Sequence, residues 1–323
     1  MTSNFDPKTL KLGFLRAEYA SHRATYRILG EKWFLYLGST LTHYTNLAGL
    51  IGIIESGGFW LSDIRFLNDA EEFHHGKKLA SNLLKDLVAK SRYKSFFQIL
   101  EASIEKLHEP QSQTYYVASF SLDADSLGQW RAYSAGTDGI ALVFNNEFAN
   151  KGISHFATLP VMHHTLAIYD DQIKKRILLA TTNKYLTEFQ RGVTAGGYGT
   201  DSTDVWAMHL TGSLSTNFAS FKHRAFHAEK EVRVITHSSQ IANHFDGIKH
   251  RAVEGRVVPY LSSSDLYNES FYKAFGSKKL PLQEVIVGPI ANREVTIDSV
   301  KIFLANSGYA DVKVRPSIVP FRG

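Results

Sequence analysis

The chain has 323 residues, 44% of them hydrophobic and 21% charged, with a formal net charge of +5 and no cysteine. That length and apolar share suffice for a large packed core, and the lack of cysteine excludes disulfides, thiolate metal sites and cysteine nucleophiles. No run approaches the roughly 18 uninterrupted apolar residues of a membrane helix, and MTSNFDPKTLKLGF lacks the basic-then-apolar order of a secretion signal, so a cytoplasmic protein without a membrane partner is expected.

In chain order, residues 8–33 carry apolar side chains at helical spacing (Leu10, Phe14, Tyr19, Tyr26) and predict an amphipathic amino-terminal helix. LTHYT follows as a strand, then NLAGLIGIIESGG as a helix with Asn46 as N-cap and Gly57-Gly58 as its stop, then FWLS as a second strand. Ala70 to about His108 is helical again, interrupted near Ser91. TYYVASFS and the continuous GIALVF (139–144) read as strands, with FATLPVMHH pairing beside the latter. Residues 166–190 and 204–222 predict helices around the glycine-bearing stretch 191–203. Strands resume at EVRVIT, GRVVPYL and EVIVG, before a helix at 295–307 and a last strand in DVKVRPSIV. No internal repeat or low-complexity linker appears. The pattern predicts an α+β fold: a single domain (41–323) with a central mixed or antiparallel sheet flanked by helices, and an amino-terminal helical extension (1–40).

Polar residues beside aromatic anchors at strand ends are the candidates for chemistry, because such positions leave groups facing clefts. These are His43-Tyr44-Thr45, Asn68-Asp69 with Glu72, Ser119 and Ser121, Trp130 with Tyr133, and the stretch AEKEVR. Each has a bland counterpart. His43 shares a strand face with Leu41 and Thr45 and is either a hydrogen-bonded structural histidine or a ligand-facing one. Asn68-Asp69 with Glu72 is either a helix cap or part of a site, and Trp130 with Tyr133 either core or platform. In FHAEKEVRVIT, period two puts Glu229, Glu231 and Arg233 on one face and Val232 and Val234 on the other. The three are either an exposed ion-pair ladder on an edge strand or a working carboxylate pair oriented by arginine. The histidine pairs 74–75 and 163–164 and the 223/227 spacing lack a carboxylate at ligand spacing, so no metal is expected. The basic balance tilts toward anionic partners, but lysines and arginines are scattered as on a solvated surface.

The ordered blocks HYT, FWLSDIRFLNDAEEF, VASFSLDADSLGQWRAYSAGTDGIALVF, FKHRAFHAEKEVRVI, LQEVIVGP and RPSIVPFR, from about residue 40 to the end, resemble a bacterial family catalogued as domain of unknown function 2971. Members of that family usually carry cysteine where Ser119 stands, which argues against a nucleophile there. The family implies no mechanism.

A more distant resemblance is to ADP-ribosyltransferases, whose first strand carries His or Arg, whose middle supplies an aromatic and whose late strand carries Glu. His43, Tyr133 and Glu231 are the counterparts, and EKE resembles the E-x-E of arginine-modifying transferases. The chain departs from that pattern in having histidine rather than arginine on the first strand and no evident serine-threonine-serine strand. The resemblance implies NAD as substrate, with Glu231 stabilising an oxocarbenium-like centre, His43 bonding a ribose hydroxyl, and Tyr133 or Trp130 stacking on nicotinamide. Tyr44, Thr45, Asn68, Asp69, Glu72, Ser119, Ser121, Glu229 and Arg233 would then contact substrate, and ADP-ribose would pass to a macromolecule or to water. Two other readings stay open: a nucleic-acid binder or processing enzyme, and a non-catalytic module that senses a nucleotide.

Overall fold

In the computed structural model the described residues are 7–30, 40–67, 70–109, 113–133, 138–144, 163–196, 202–238, 247–253, 255–266 and 279–320. Their helices are α1 (Pro7–Leu29), α2 (Leu47–Ser56), α3 (Ala70–Val88), α4 (Phe97–His108), α5 (Leu127–Tyr133), α6 (Asp171–Thr194), α7 (Thr203–Phe218) and α8 (Arg293–Asn306). Their strands are β1 (Leu41–Asn46), β2 (Trp60–Asp63), β3 (Tyr115–Ser121), β4 (Gly139–Phe144), β5 (His163–Leu166), β6 (Glu231–His237), β7 (Lys249–Val253), β8 (Arg256–Ser262), β9 (Leu282–Val287) and β10 (Lys313–Pro316). The fold is α+β, with a mixed sheet. Two compact units emerge, each assembled from three stretches of chain: residues 1–33, 68–112 and 168–224 in one, and 34–67, 113–167 and 225–323 in the other. None of the described helices is long and apolar enough to cross a membrane.

The first unit is helical. Leu10, Phe14, Ala17 and Ser21 form the buried stripe of α1, whereas Tyr19 is 66% exposed and falls outside it. Small residues at 17 and 21 let α1 approach α6 closely, and the Ser21 and Thr181 hydroxyls meet at 2.8 Å in the buried contact. Phe14 stacks on His209 of α7 and meets Trp206 edge-on. The Asp170 carboxylate caps α6 by accepting from the amides of Gln172 and Ile173. That helix runs on to Thr194, so the glycine-bearing stretch begins as helix, and residues 197–201 lie outside the described ones.

The second unit carries the sheet. Asn46 ends β1 and caps α2, its Oδ1 accepting from the Gly49 amide at 2.8 Å, and Gly57 stops the helix in the left-handed region at φ 65°. β3 is the strand that organises the rest. Along one edge it pairs antiparallel with β6, from Tyr115↔His237 to Ser121↔Glu231. Its other edge is divided, for β1 pairs at Ser121 (Thr42↔Ser121) and β2 at Val117 and Tyr116 (Ser62↔Val117, Asp63↔Tyr116). From β1 the sheet continues through β4 and β9 to the parallel strand β10, and from β2 through β8 to β7. Of the FATLPVMHH stretch expected beside β4, residues 156–162 lie outside the described ones, and the two that are described, His163 and His164, pair in β5 with β6 instead. The reason is geometric: both edges of β4 are taken, by β1 and β9. Tyr44, Trp130, Ala141, Val143 and Ile286 pack together on one sheet face, while Phe59, Phe120 and Phe144 meet edge-to-face in a separate aromatic group.

Candidate functional site

The divided edge of β3 creates the first unusual environment. The Lys230 carbonyl and the Ser238 amide bond to Leu122 and Thr114 of the β3 segment, so even-numbered residues there turn their amides toward β6 and odd-numbered ones toward β1 and β2. Ser119 is odd and lies between the residue paired with β1 and the residue paired with β2. Its carbonyl opens into the fork between the two strands, and His43 Nδ1 meets it at 2.8 Å. A carbonyl only accepts, so Nδ1 carries the proton. Burial, opposed by the Ser119 bond and assisted by the nearby Arg251 charge, lowers the His43 pKa to about 4. The ring is therefore neutral at pH 7 and Nε2 holds a lone pair.

Cross-strand pairing places a polar row over the same ground. Thr42, Ser121 and Glu231 are successive partners across β1, β3 and β6, so their side chains share one face. All three are at least nine-tenths buried. The row borders a cleft of about 50 Å³ to which Tyr44, Ser119 and Gln129 of α5 also contribute, together with Glu229. His43 borders it too, although register sends its ring to the opposite face, toward Phe59 and Phe120 at centroid distances of 5.7 and 5.5 Å. Thr42 Oγ1 is buried with no hydrogen-bond partner among the described residues. Buried hydroxyls are nearly always bonded, so an orphan at a cleft marks a place for an outside polar group.

The two carboxylates of EKE occupy different environments, which corrects the expected common face. Residues Arg224–Glu229 form a 3₁₀ turn, Lys230 adopts a left-handed φ of 46°, and the strand begins only at Glu231. Glu231 and Arg233 alone share the face. Arg233 donates from Nε to Oε1 at 3.0 Å and from Nη2 to Oε2 at 3.1 Å, with side-chain exposures of 1% for Arg233 and 5% for Glu231. This is a buried bidentate pair on an interior strand, not an exposed edge ladder. Glu229 is half-buried, and its carbonyl accepts from the Ser121 hydroxyl at 2.7 Å.

Other expected residues serve the framework. Tyr44 hydroxyl donates to the Asp123 carbonyl and accepts from the Ser126 amide, both at 2.9 Å, and burial pushes its pKa up. Trp130 is fully buried, its indole N–H donating to Asp125 Oδ1 at 2.7 Å, and it is absent from the cleft lining, as are Thr45 and Arg233. A core position explains Trp130 and removes it as a stacking surface. Tyr133 closes α5, but its side chain, that of Glu72, and all of Asn68 and Asp69 lie outside the described residues. Among the described residues no three His, Cys, Asp or Glu side chains are grouped to hold a metal.

Three contributors were not singled out from sequence: Thr42, Gln129 and Asp125. Thr42 was legible only as the neighbour of His43. Asp125 accepts from Trp130, Ser317, Arg315 and the Ile318 amide, tying the segment after β10 to the loop after β3. Burial alone would raise its pKa, but these bonds outweigh it and hold the carboxyl below its usual range. No curated protein and no solved structure matches the chain. Residues 129–234, which run from Gln129 at the cleft through Glu231 to Val234 in β6, match the family described as a protein of unknown function (DUF2971).

Proposed function

We propose that the cleft holds the ribose of a nicotinamide dinucleotide and that the protein cleaves the nicotinamide–ribose bond, as ADP-ribosyltransferases do. The observation that carries this reading is the orphan Thr42 hydroxyl, buried in one row with the Glu231 carboxylate. A sugar hydroxyl satisfies such a group, and a carboxylate fixed beside it stabilises positive charge at the anomeric carbon. In this scheme the C–N bond breaks with its electron pair leaving on nicotinamide, and water or a target nucleophile attacks the same carbon. Glu229, half-buried beside the row, takes the proton of the incoming group. His43, whose ring turns to the other sheet face, fixes β1 through the Ser119 carbonyl rather than bonding a ribose hydroxyl, and Tyr133 is the remaining aromatic for the nicotinamide ring.

The test is to incubate the protein with NAD and measure nicotinamide, alongside Thr42→Val. That variant keeps the shape and removes the orphan hydroxyl, so it should fold at least as stably while binding NAD about tenfold more weakly. Absence of both nicotinamide release and NAD binding by the unmodified protein would sink the proposal. A second reading, a module that senses a nucleotide without cleaving it, is favoured by the Arg233 clamp, which already engages both oxygens of Glu231. It expects NAD binding without nicotinamide.

A further inference from the structure

The registers Ser62↔Tyr260 and Lys249↔Tyr260 place Trp60, Ser62, Tyr260, Lys249 and Arg251 on one face of the β2–β8–β7 arm. Arg251 reaches across β8 on that face. Its Nη2 donates to Ser62 Oγ at 2.8 Å, and its guanidinium carbon lies 5.1 Å from the Trp60 ring centroid and 6.0 Å from that of Tyr260. Among the described residues its buried Nε has no hydrogen-bond partner and no carboxylate pairs with this arginine. Lys249 is different, since its ammonium is paired with Asp265 at 2.9 Å.

A guanidinium offers five N–H donors, and among the described residues one side-chain hydroxyl answers them. Ring faces compensate a cation only in part, and a half-buried charge lacking a counter-ion is costly to keep. The planar fork is suited to two oxygens of one tetrahedral oxyanion, and the flanking rings limit the water that competes for it. We propose that Arg251, walled by Trp60 and Tyr260, is a binding site for the phosphate group of a phosphorylated ligand. Arg251 is only partly buried, which leaves it within reach of such a group. The site stands independently of the reading of the cleft, for it expects phosphate binding whether or not NAD is cleaved.

The experiment is thermal unfolding of the full chain with inorganic pyrophosphate and, separately, ADP, for the unmodified protein, Arg251→Met and Arg251→Lys. Both ligands should raise the melting temperature of the unmodified protein in a concentration-dependent way. Arg251→Met keeps an apolar stem beside the paired rings and should lose at least tenfold in apparent affinity. Without ligand it should melt no lower than the parent, because an uncompensated charge has been removed. Should that variant fail to fold, Arg251→Lys decides: charge without the planar fork should give a clearly smaller shift. Tighter binding of ADP than of pyrophosphate identifies a nucleotide as the phosphate source, and equal binding a free phosphate. No shift with either ligand, or equal shifts in parent and variants, overturns the inference. Nicotinamide release together with Arg251-independent pyrophosphate binding overturns this inference while leaving the cleft reading intact.

Discussion

His43 has one hydrogen bond with two consequences. By donating to Ser119 it closes a gap in backbone pairing, and by being held neutral it links stability to pH. Its folded pKa of about 4 lies below the ordinary 6.5, so as pH falls the unfolded chain takes up the proton first. Stability from this residue is complete above pH 6.5, declines between 6.5 and about 4, and is gone below that. The whole change is at most about 3 kcal/mol, less in practice because the ring borders a cleft. His43→Gln keeps a donor for Ser119 and should flatten that part of the profile in urea unfolding from pH 4.5 to 7. His209, whose pKa burial also lowers, is unaltered in the comparison and drops out of the difference. An equal slope in both proteins would remove His43 as its source. At Glu231, replacement by Gln takes the counter-charge from Arg233 in a dry setting and should cost about 3–5 kcal/mol, whereas Glu229→Gln should stay within about 0.5 kcal/mol. Chemical denaturation of the two variants checks the contrast, and similar losses would contradict it.

Among the elements, the β1–α2–β2 segment was the most legible, because its signals are local. The Asn46 cap and the Gly57 stop work within a few residues, the first through its side-chain oxygen and the second through its lack of a Cβ. The break between α3 and α4 near Ser91 was legible for the same reason, and a 3₁₀ segment at Ser91–Phe96 fills it. Legibility failed where a distant partner decided. Nothing in AEKEVR announces that Lys230 turns left-handed, so the period-two pattern of the sequence runs one step farther toward Glu229 than the strand does. Likewise, no local feature of HHTL says that β6 rather than β4 will receive it. A packing constraint inside the first element pair can be tested: a Cβ added at Gly52 of α2 would overlap the Trp60 indole. Gly52→Ala should therefore cost about 1–3 kcal/mol and alter tryptophan fluorescence, since the ring has to move. An unchanged spectrum and unchanged stability would show that the helix shifts freely instead.

At the scale of the whole molecule, neither unit is a continuous piece of chain, and the family match at 129–234 includes residues of both. Of the expected amino-terminal extension (1–40), residues 1–33 fall in the helical unit, where Phe14 touches Trp206 and Ser21 bonds Thr181. A chain beginning at residue 41 should then lose more helical circular dichroism than the 23 residues of α1 account for, and its Trp206 emission should shift to the red. A loss confined to those residues, with the tryptophan still buried, would make α1 a mere appendage. The α+β class was readable from the alternation of periods, but the branching of the sheet at β3 was not, because pairing between strands so far apart in sequence leaves no local trace.

That fork also bears on how faithfully the chain folds. If β1 docked against β3 one residue out of alignment, either Leu41 or His43 would replace Thr42 beside Ser121 and Glu231, and Tyr44 would leave its place against Trp130. The Ser119 carbonyl would lose its imidazole in the same step. Misaligned pairing is thus penalised by buried polarity, lost aromatic packing and a stranded carbonyl together, so the residues of the candidate cleft double as a check on assembly. Ligand contacts evolving at positions 42 and 43 would be confined to side chains that still pass that check.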